Sequence, residues 1–386
     1  MAVESQLTRR AAILAKVETT YAVDAGPTPA ENGVLINNGV EITPQADRVD
    51  RNIVRDTFSP AGSAVGAKSV DLAVQVEARG GGLDGDGKPL PPDYAPILLA
   101  CGMAQSSVVR LGINAAGAWT PGEEITGGTS AAHGVLEYIE RDKMLVIGQV
   151  TGTFAGGETI TGNASAATAT VASVTPALMY TPNTATPSTQ KSDSIYYHKD
   201  GILHRTLGIR GTFSMDAQVG KIPTIDFKLS GLWADPVDAN MPAPALTSLA
   251  GAQFLNADMM IGDYKPVFTS LKLDIGNKIE RRQDANSVEG IVGLLITSRS
   301  PSGSLDPEVD KLAGFNPWTA WKDSNARARI NGYIGSTPGN RLAIHMGSAQ
   351  YTDLKYGDRI GLATYQLGFL PTQERLGDDD TRLLIF

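Results

Sequence analysis

The chain has 386 residues, 42% of them hydrophobic and 19% charged, with 42 glycines, 22 prolines, one cysteine and a formal net charge of −8. A chain of this size buries real hydrophobic cores, and its Gly and Pro content favours short strands and tight turns over long helices. An acidic chain whose densest basic spot is Arg281-Arg282 excludes a grip on nucleic-acid phosphates, the lone Cys101 excludes an intrachain disulfide or a cysteine zinc site, and no segment is long enough to span a membrane.

In chain order, Arg9-Arg10 precede Ala11-Ala12-Ile13-Leu14-Ala15, and residues 8–18 predict a short helix. Lys16 and Glu18 interrupt that apolar stretch, which is too short for a secretory core, so the chain is expected to stay or assemble in the cytoplasm. Residues 40–43 read as a strand. At 70–78, Val70, Leu72, Val74 and Val76 alternate with Asp71, Ala73, Gln75 and Glu77, the pattern of a half-buried strand with one wet face.

The loop at 80–92 contains Gly80-Gly81-Gly82-Leu83-Asp84-Gly85, which satisfies G-x-G-x-x-G literally. Asp86, Gly87, Lys88 and three prolines follow, so no helix N-terminus stands ready for a pyrophosphate. Asp84 and Asp86 also lack the third ligand and the late Glu of a calcium loop. A helix is predicted over 94–101, led by Pro91-Pro92-Asp93. Cys101 ends its apolar run and reads as a buried, inert thiol.

A sharp internal repeat follows. Trp119-Thr120-Pro121-Gly122-Glu123-Glu124-Ile125-Thr126-Gly127 is echoed 35 residues later by Phe154-Ala155-Gly156-Gly157-Glu158-Thr159-Ile160-Thr161-Gly162, and Ser130-Ala131-Ala132 by Ser165-Ala166-Ala167. Glycines at fixed offsets between short apolar pairs point to hairpin turns, so 112–180 reads as an inserted all-β module of two related units. Residues 181–190, rich in Thr, Ser and Pro, read as a linker. Further strands are expected at 224–229, 271–275 and 290–297, and a short helix at 318–325.

With the insert removed, the two halves share an order of elements: strand, charged loop, strand, loop, short helix, strand series. Asp226-Phe227-Lys228-Leu229-Ser230-Gly231 in the first has its counterpart in Thr364-Tyr365-Gln366-Leu367-Gly368-Phe369 in the second. The expected fold is therefore mainly β, as two tandem domains. The division is an N-terminal arm at 1–30, a first domain at 31–111 and 191–240, the insert at 112–180, the linker, a second domain at 255–375 and a C-terminal arm at 376–386.

Signs of catalysis are lacking. The four histidines, His133, His198, His204 and His345, are scattered, with no H-E-x-x-H, no G-x-S-x-G and no Walker A loop. Glu123-Glu124 and Asp378-Asp379-Asp380 read as solvated surface. No enzyme, cofactor or metal is expected.

The order and wording of several segments resemble the tail tube proteins of long-tailed bacteriophages. They are Lys16-Val17-Glu18-Thr19-Thr20-Tyr21-Ala22-Val23-Asp24, Val40-Glu41-Ile42-Thr43-Pro44, Val49-Asp50-Arg51 and Leu98-Leu99-Ala100-Cys101-Gly102. In the second half, Ser302-Gly303-Ser304-Leu305-Asp306-Pro307-Glu308 and Tyr356-Gly357-Asp358-Arg359-Ile360-Gly361 belong to the same resemblance, which covers most of the chain outside 112–180.

That resemblance implies β-sandwich or barrel tube domains, each with a short flanking helix, whose copies form stacked rings around a lumen for DNA. It implies a structural protein of the virion tail, assembled in the host cytoplasm, with itself, tape-measure and tail-terminator proteins as partners. DNA passes transiently without specific binding, and no membrane is involved. Family members commonly form hexamers of one domain each, so a chain with two domains would close as a trimeric, pseudo-hexameric ring, the hexamer being the alternative. Asp71, Gln75 and Glu77 are then the candidates for facing the lumen. Leu83, Asp84, Asp86 and Lys88 of the 80–92 loop, with Leu383, Leu384, Ile385 and Phe386 of the terminal arm, are the candidates for contacts between rings. A different class of function is a carbohydrate-binding surface β protein using 112–180 as its binding module, with Trp119 and Phe154 on exposed loops.

Overall fold

The computed structural model, which describes residue 7 and residues 10–141 and 143–386, builds the chain almost wholly from antiparallel strands. β1 (Ala11–Val17) replaces the helix expected over 8–18, of which Thr8 and Arg9 lie outside the described residues, as do residues 1–6 of the N-terminal arm. Ile13, Leu14 and Ala15 are buried because β1 is a central strand, paired with residues 193–199 on one side and with β2 (Gly33–Val34) on the other. A strand covered on both faces reads as an unbroken apolar run, and tertiary pairing overrides the helix propensity of its alanines.

β3 (Asn37–Asp50) and β4 (Ser63–Glu77) form a long hairpin. α1 (Ala95–Ala100) carries Pro96 in its first turn and turns Ile97 and Leu98 inward. β5 (Met103–Ile113) leads into the repeat region, made of β6 (Glu124–Gly127), β7 (His133–Arg141), β8 (Met144–Thr151) and β9 (Thr159–Gly162), and β10 (Thr168–Pro182) returns from it alongside β5. β11 (Asp193–Lys199), β12 (Ile202–Gln218) and β13 (Thr224–Leu232) complete the first half, followed by the two-residue strands β14 (Val237–Asp238) and β15 (Met260–Ile261).

The second half runs β16 (Ser270–Asp274), a separate two-stranded hairpin of β17 (Asn277–Gln283) and β18 (Ile291–Arg299), and β19 (Ser302–Leu305). α2 (Pro317–Lys322) is capped by Asn316, whose Oδ1 accepts from the Thr319 N–H at 3.1 Å. β20 (Ala328–Ile334), β21 (Leu342–Arg359), β22 (Leu362–Pro371) and β23 (Arg382–Ile385) finish the chain. The strands expected at 40–43, 70–78, 224–229, 271–275 and 290–297 are found in β3, β4, β13, β16 and β18, and the later helices in α1 and α2.

One apolar core runs through both halves, joining Leu72, Val74 and Phe227 to Leu271, Tyr365 and Leu367. A second core lies inside the repeat region, around Trp119, Ile125, Phe154 and Ile160. Its two units are related by a local twofold: β6 and β9 pair with each other so that Ile125 faces Gly162 and Gly127 faces Ile160. Each unit also caps the other. The Glu123 carboxylate accepts from Thr120 N–H of its own unit at 2.7 Å, and from Ser165 N–H and Oγ of the other at 2.8 and 2.9 Å. Glu158 reciprocates with Ala155 N–H at 2.7 Å and with Ser130 N–H and Oγ, both at 2.9 Å.

Burial alone would raise both carboxyls, but these hydrogen bonds outweigh it and hold each below the ordinary carboxylate range. The stabilisation they give is therefore complete above a pH of about 4.3, the unperturbed Glu value, and is lost as pH falls through the lower folded value. Glu123→Ala or Glu158→Ala, by removing several charge-assisted hydrogen bonds from part-buried donors, is expected to cost the module about 1–3 kcal/mol. Thermal unfolding of the variants at pH 7 measures the loss, and their weaker pH dependence below about pH 4.3 separates a lost cap from general damage.

Candidate functional site

Among the described residues no group of His, Cys, Asp or Glu has the arrangement to hold a metal, and no helix is long and apolar enough to cross a membrane. What the fold does build is one extended polar surface. β3, β4, β13 and β12 pair in that order in the first half, and β16, β19, β22 and β21 in the second. The two sets join where β12 pairs with β16, from Ser214 opposite Asp274 to Gln218 opposite Ser270. Eight strands thus form one sheet, and strand alternation gives it one apolar and one wet face.

Asp71, Gln75 and Glu77 lie on the wet face, opposite the buried Leu72, Val74 and Val76. Each is held there: Ser230 Oγ donates to Asp71 at 2.6 Å, Gln75 Nε2 to Asp226 at 2.7 Å, and Gly251 N–H to Glu77 at 2.8 Å. The register carries Asp226 and Lys228, then Ser214 and Asp216, then Lys272 and Asp274 onto the same face. Asp353, Lys355 and Gln366 extend it to the far edge, bordering one shallow groove with Asp226 and Asp274. Lys272 and Asp216 form an ion pair across the seam at 3.3 Å. Carboxylates outnumber ammonium groups on this face, so its field is negative.

The sheet ends in two open edges. Among the described residues β3 pairs only with β4. Among the described residues, too, the distal part of β21, from Gln350 to Arg359, pairs with β22 on one side and with no strand on the other, where the Thr352 carbonyl accepts from Trp321 Nε1. By strand order β3 corresponds to β16 and β21 to β12, so the open edges are the counterparts of the two strands that form the seam. Tyr356 stands exposed on β21, and Ile360 and Leu362 stand exposed where β21 turns into β22. These edges carry no signal of their own along the chain, because edge status depends on which strands find partners.

The 80–92 loop is exposed at Leu83, Asp84, Asp86 and Lys88. Asp84 Oδ1 closes its own turn by accepting from Asp86 and Lys88 N–H at 2.9 and 2.8 Å. The glycines serve packing: a Cβ on Gly80 would lie 2.0 Å from the Gly339 carbonyl oxygen, and Gly82 N–H donates to that same oxygen at 3.0 Å.

Three expectations need correction. Glu123, Asp379 and Asp380, read as solvated surface, are buried, their carboxylates accepting from Ser165 N–H, Arg375 N–H and Arg299 respectively. Leu383, Leu384, Ile385 and Phe386, expected to reach toward another ring, are buried: β23 pairs with both β10 and β21, leaving those side chains no surface to offer. Trp119 and Phe154, expected on exposed loops, fill the core of the repeat region, 6% and 3% exposed, which removes the aromatic platform a sugar would need. Cys101 is wholly buried, and burial pushes its thiol well up.

β23 also anchors the repeat region. Arg110 and Glu140 form a buried ion pair at 2.8 Å, with the Arg110 guanidinium 3.7 Å over the Phe386 ring. Beside them His345 stacks on Tyr138, ring centroids 4.0 Å apart, with neither ring nitrogen hydrogen-bonded among the described residues. Burial first, and then Arg382 and Arg329, push the His345 imidazole well below its ordinary value, so it is neutral.

A family model described as phage tail tube protein matches residues 8–351. No curated protein matches the chain.

Because His345 binds its proton less readily folded than unfolded, the stability tied to its neutral form is present above a pH of about 6.5, the ordinary imidazole value, and is lost as pH falls below it. His345→Phe, which keeps the stack on Tyr138 without a titrating ring, is expected to remove part of the acid sensitivity between about pH 6.5 and 5. Thermal unfolding across that range, wild type against variant, provides the check; identical slopes would mean that folding leaves the proton affinity of His345 unchanged.

Proposed function

Since the chain belongs to the phage tail tube protein family, a structural family of the virion tail, we propose that it is the ring-forming subunit of the tube. Copies join edge to edge, rings stack in the host cytoplasm, and the wet face lines a lumen through which DNA passes. The two halves act as two tube domains, so that three copies supply six and close a pseudo-hexameric ring. The 112–180 module sits on the outside, where a folded unit has room. The chain works by assembly and not by catalysis, with tape-measure and tail-terminator proteins as its other partners.

The observation that carries this reading is the seam between β12 and β16. Bare strand edges invite pairing, and closure into a ring removes them. The chain already makes one such joint inside itself and leaves open the two edges that correspond to it. A further copy offering β3 to β21 repeats the joint, and the repetition closes when the rotation returns to its start. On the wet face Asp71, Gln75 and Glu77, with Asp226 and Asp274, present negative charge to the lumen, and like-charge repulsion keeps the DNA phosphates from sticking. The exposed 80–92 loop, with Leu83, Asp84, Asp86 and Lys88, is the candidate for contact between successive rings.

Electron microscopy of concentrated purified protein tests the proposal: hollow tubes or rings are expected, with three chains per ring in a reconstruction. Six chains per ring would replace the trimer by the hexamer, and a reconstruction with Asp71 and Glu77 on the outer wall would remove the lumen assignment. Ile360→Asp changes a side chain that is 93% exposed in the single chain, so unfolding should shift by no more than about 0.5 kcal/mol while assembly at the β21 edge is lost. A protein that stays monomeric at every concentration would end the reading.

A further inference from the structure

We propose that the hairpin arm of the first half, residues 44–69, docks on the second half of a neighbouring copy, over the end of α2 and the open side of β21. This rests on the ring reading above and specifies a second contact within it. The arm is a ribbon of two strands, running from Gln45 opposite Ser69 to Asp50 opposite Ser63, and every residue from 46 to 60 is exposed in the single chain. A two-stranded ribbon wet on both faces is marginal in water. This one also carries Val49, Ile53, Val54, Phe58 and Val65 in the open, with Val54 and Phe58 fully exposed. Such apolar display on one short segment marks a contact surface.

The chain itself identifies the occupant. By strand order the counterpart of this arm is the β17–β18 hairpin, which also springs from between paired edge strands, and that hairpin is not free. It lies over the first half. Gln190 grips it at Ile296, donating to the carbonyl at 2.8 Å and accepting from the N–H at 3.0 Å. Asn277 Nδ2 reaches the Cys101 and Gly211 carbonyls at 2.6 and 3.0 Å, and Leu294 N–H donates to the Tyr21 hydroxyl at 2.8 Å. Ile296 thereby covers the end of α1, its Cδ1 lying 3.1 Å from where a Cβ on Gly102 would stand.

The matching place on the second half is bare. Trp321 at the end of α2 is 48% exposed and Tyr356 on β21 is 63% exposed, and Trp321 Nε1 donates to the Thr352 carbonyl on the same stretch of strand at 2.9 Å. Among the described residues no arm of the same chain covers it. The first arm of the next copy is the segment with the right topology and an unburied apolar surface. In the single chain Lys68, at the root of the first arm, pairs with Glu289, at the tip of the second, at 2.9 Å. Docking of every arm in this way links tip to root around the whole ring.

The test uses two single-site proteins, Val65→Cys and Trp321→Cys, chosen because Val65 is the exposed apolar residue nearest the place along β4 that Ile296 takes along β18. Both sites are exposed and the native Cys101 is wholly buried, so only the new thiols react. The two proteins are mixed, assembled and oxidised, and mixed disulfide dimers are read on non-reducing gels and by mass spectrometry. Docking places the thiols at millimolar effective concentration, so the mixed dimer should form roughly 1000-fold faster in tubes than in micromolar unassembled protein. Val54→Asp with Phe58→Asp, in a chain that unfolds at the wild-type temperature, should leave tubes absent or short. Wild-type tubes whose mixed-cysteine versions give no mixed dimer, or tubes of normal length from the double Asp variant, overturn the docking and leave the ring reading standing. Absence of tubes from the wild type overturns both.

Discussion

A strand whose N–H and C=O groups point into nothing is the constraint around which this molecule is organised. The backbone of a sheet must be paired on both sides or left to water, and a long open edge recruits whatever strand it meets. Here the problem is solved once within the chain, where β12 and β16 bring two four-strand sets together, and the joint is locked by an ion pair on the wet face and a shared core on the dry one. Everything else in the main body follows from having a sheet with one apolar side. The helices, β1 and the β17–β18 hairpin exist to cover that side, and the other stays polar.

Much of this was legible in the sequence where burial is one-sided. The alternation at 70–77 survives because each residue of β4 sees either core or water, and the same logic made β13 and β16 readable. β1 was not legible: Ala11-Ala12-Ile13-Leu14-Ala15 has good helix formers and no alternation, and its strand identity comes from β11, almost two hundred residues away. The fates of Trp119 and Phe154 were hidden for a related reason. Each lies beside a turn, where exposure is the local expectation, and each is buried only because two repeat units close on one another. The apolar end, Leu383-Leu384-Ile385-Phe386, announced that it would bind something; the sequence could not say that the partner was its own β10 and β21.

The wet face was readable residue by residue but not as a surface. Asp71, Gln75 and Glu77 stood out on their own strand, whereas Asp216, Asp274 and Asp353 joined them only once the register across the seam was known. The open edge at β21 and the bare Trp321 and Tyr356 had no signal at all, since a strand edge and an uncovered aromatic are defined by what is missing beside them. Sequence patterns report the environment of a side chain within its element. They carry little about which elements end up without neighbours.

The position of β23 has a consequence for biosynthesis. It is translated long after β10, yet it is the strand that ties β10 to β21 and places Phe386 beneath Arg110. The repeat region emerges from the ribosome early and can close on its own core, but its seat on the second half stays vacant until β23 has been made. A nascent chain is therefore held short of its finished shape through most of elongation, and the second half, which carries the open β21 edge, settles last. Under the edge-to-edge assembly proposed above, that delay keeps growing chains on neighbouring ribosomes from joining before they are released.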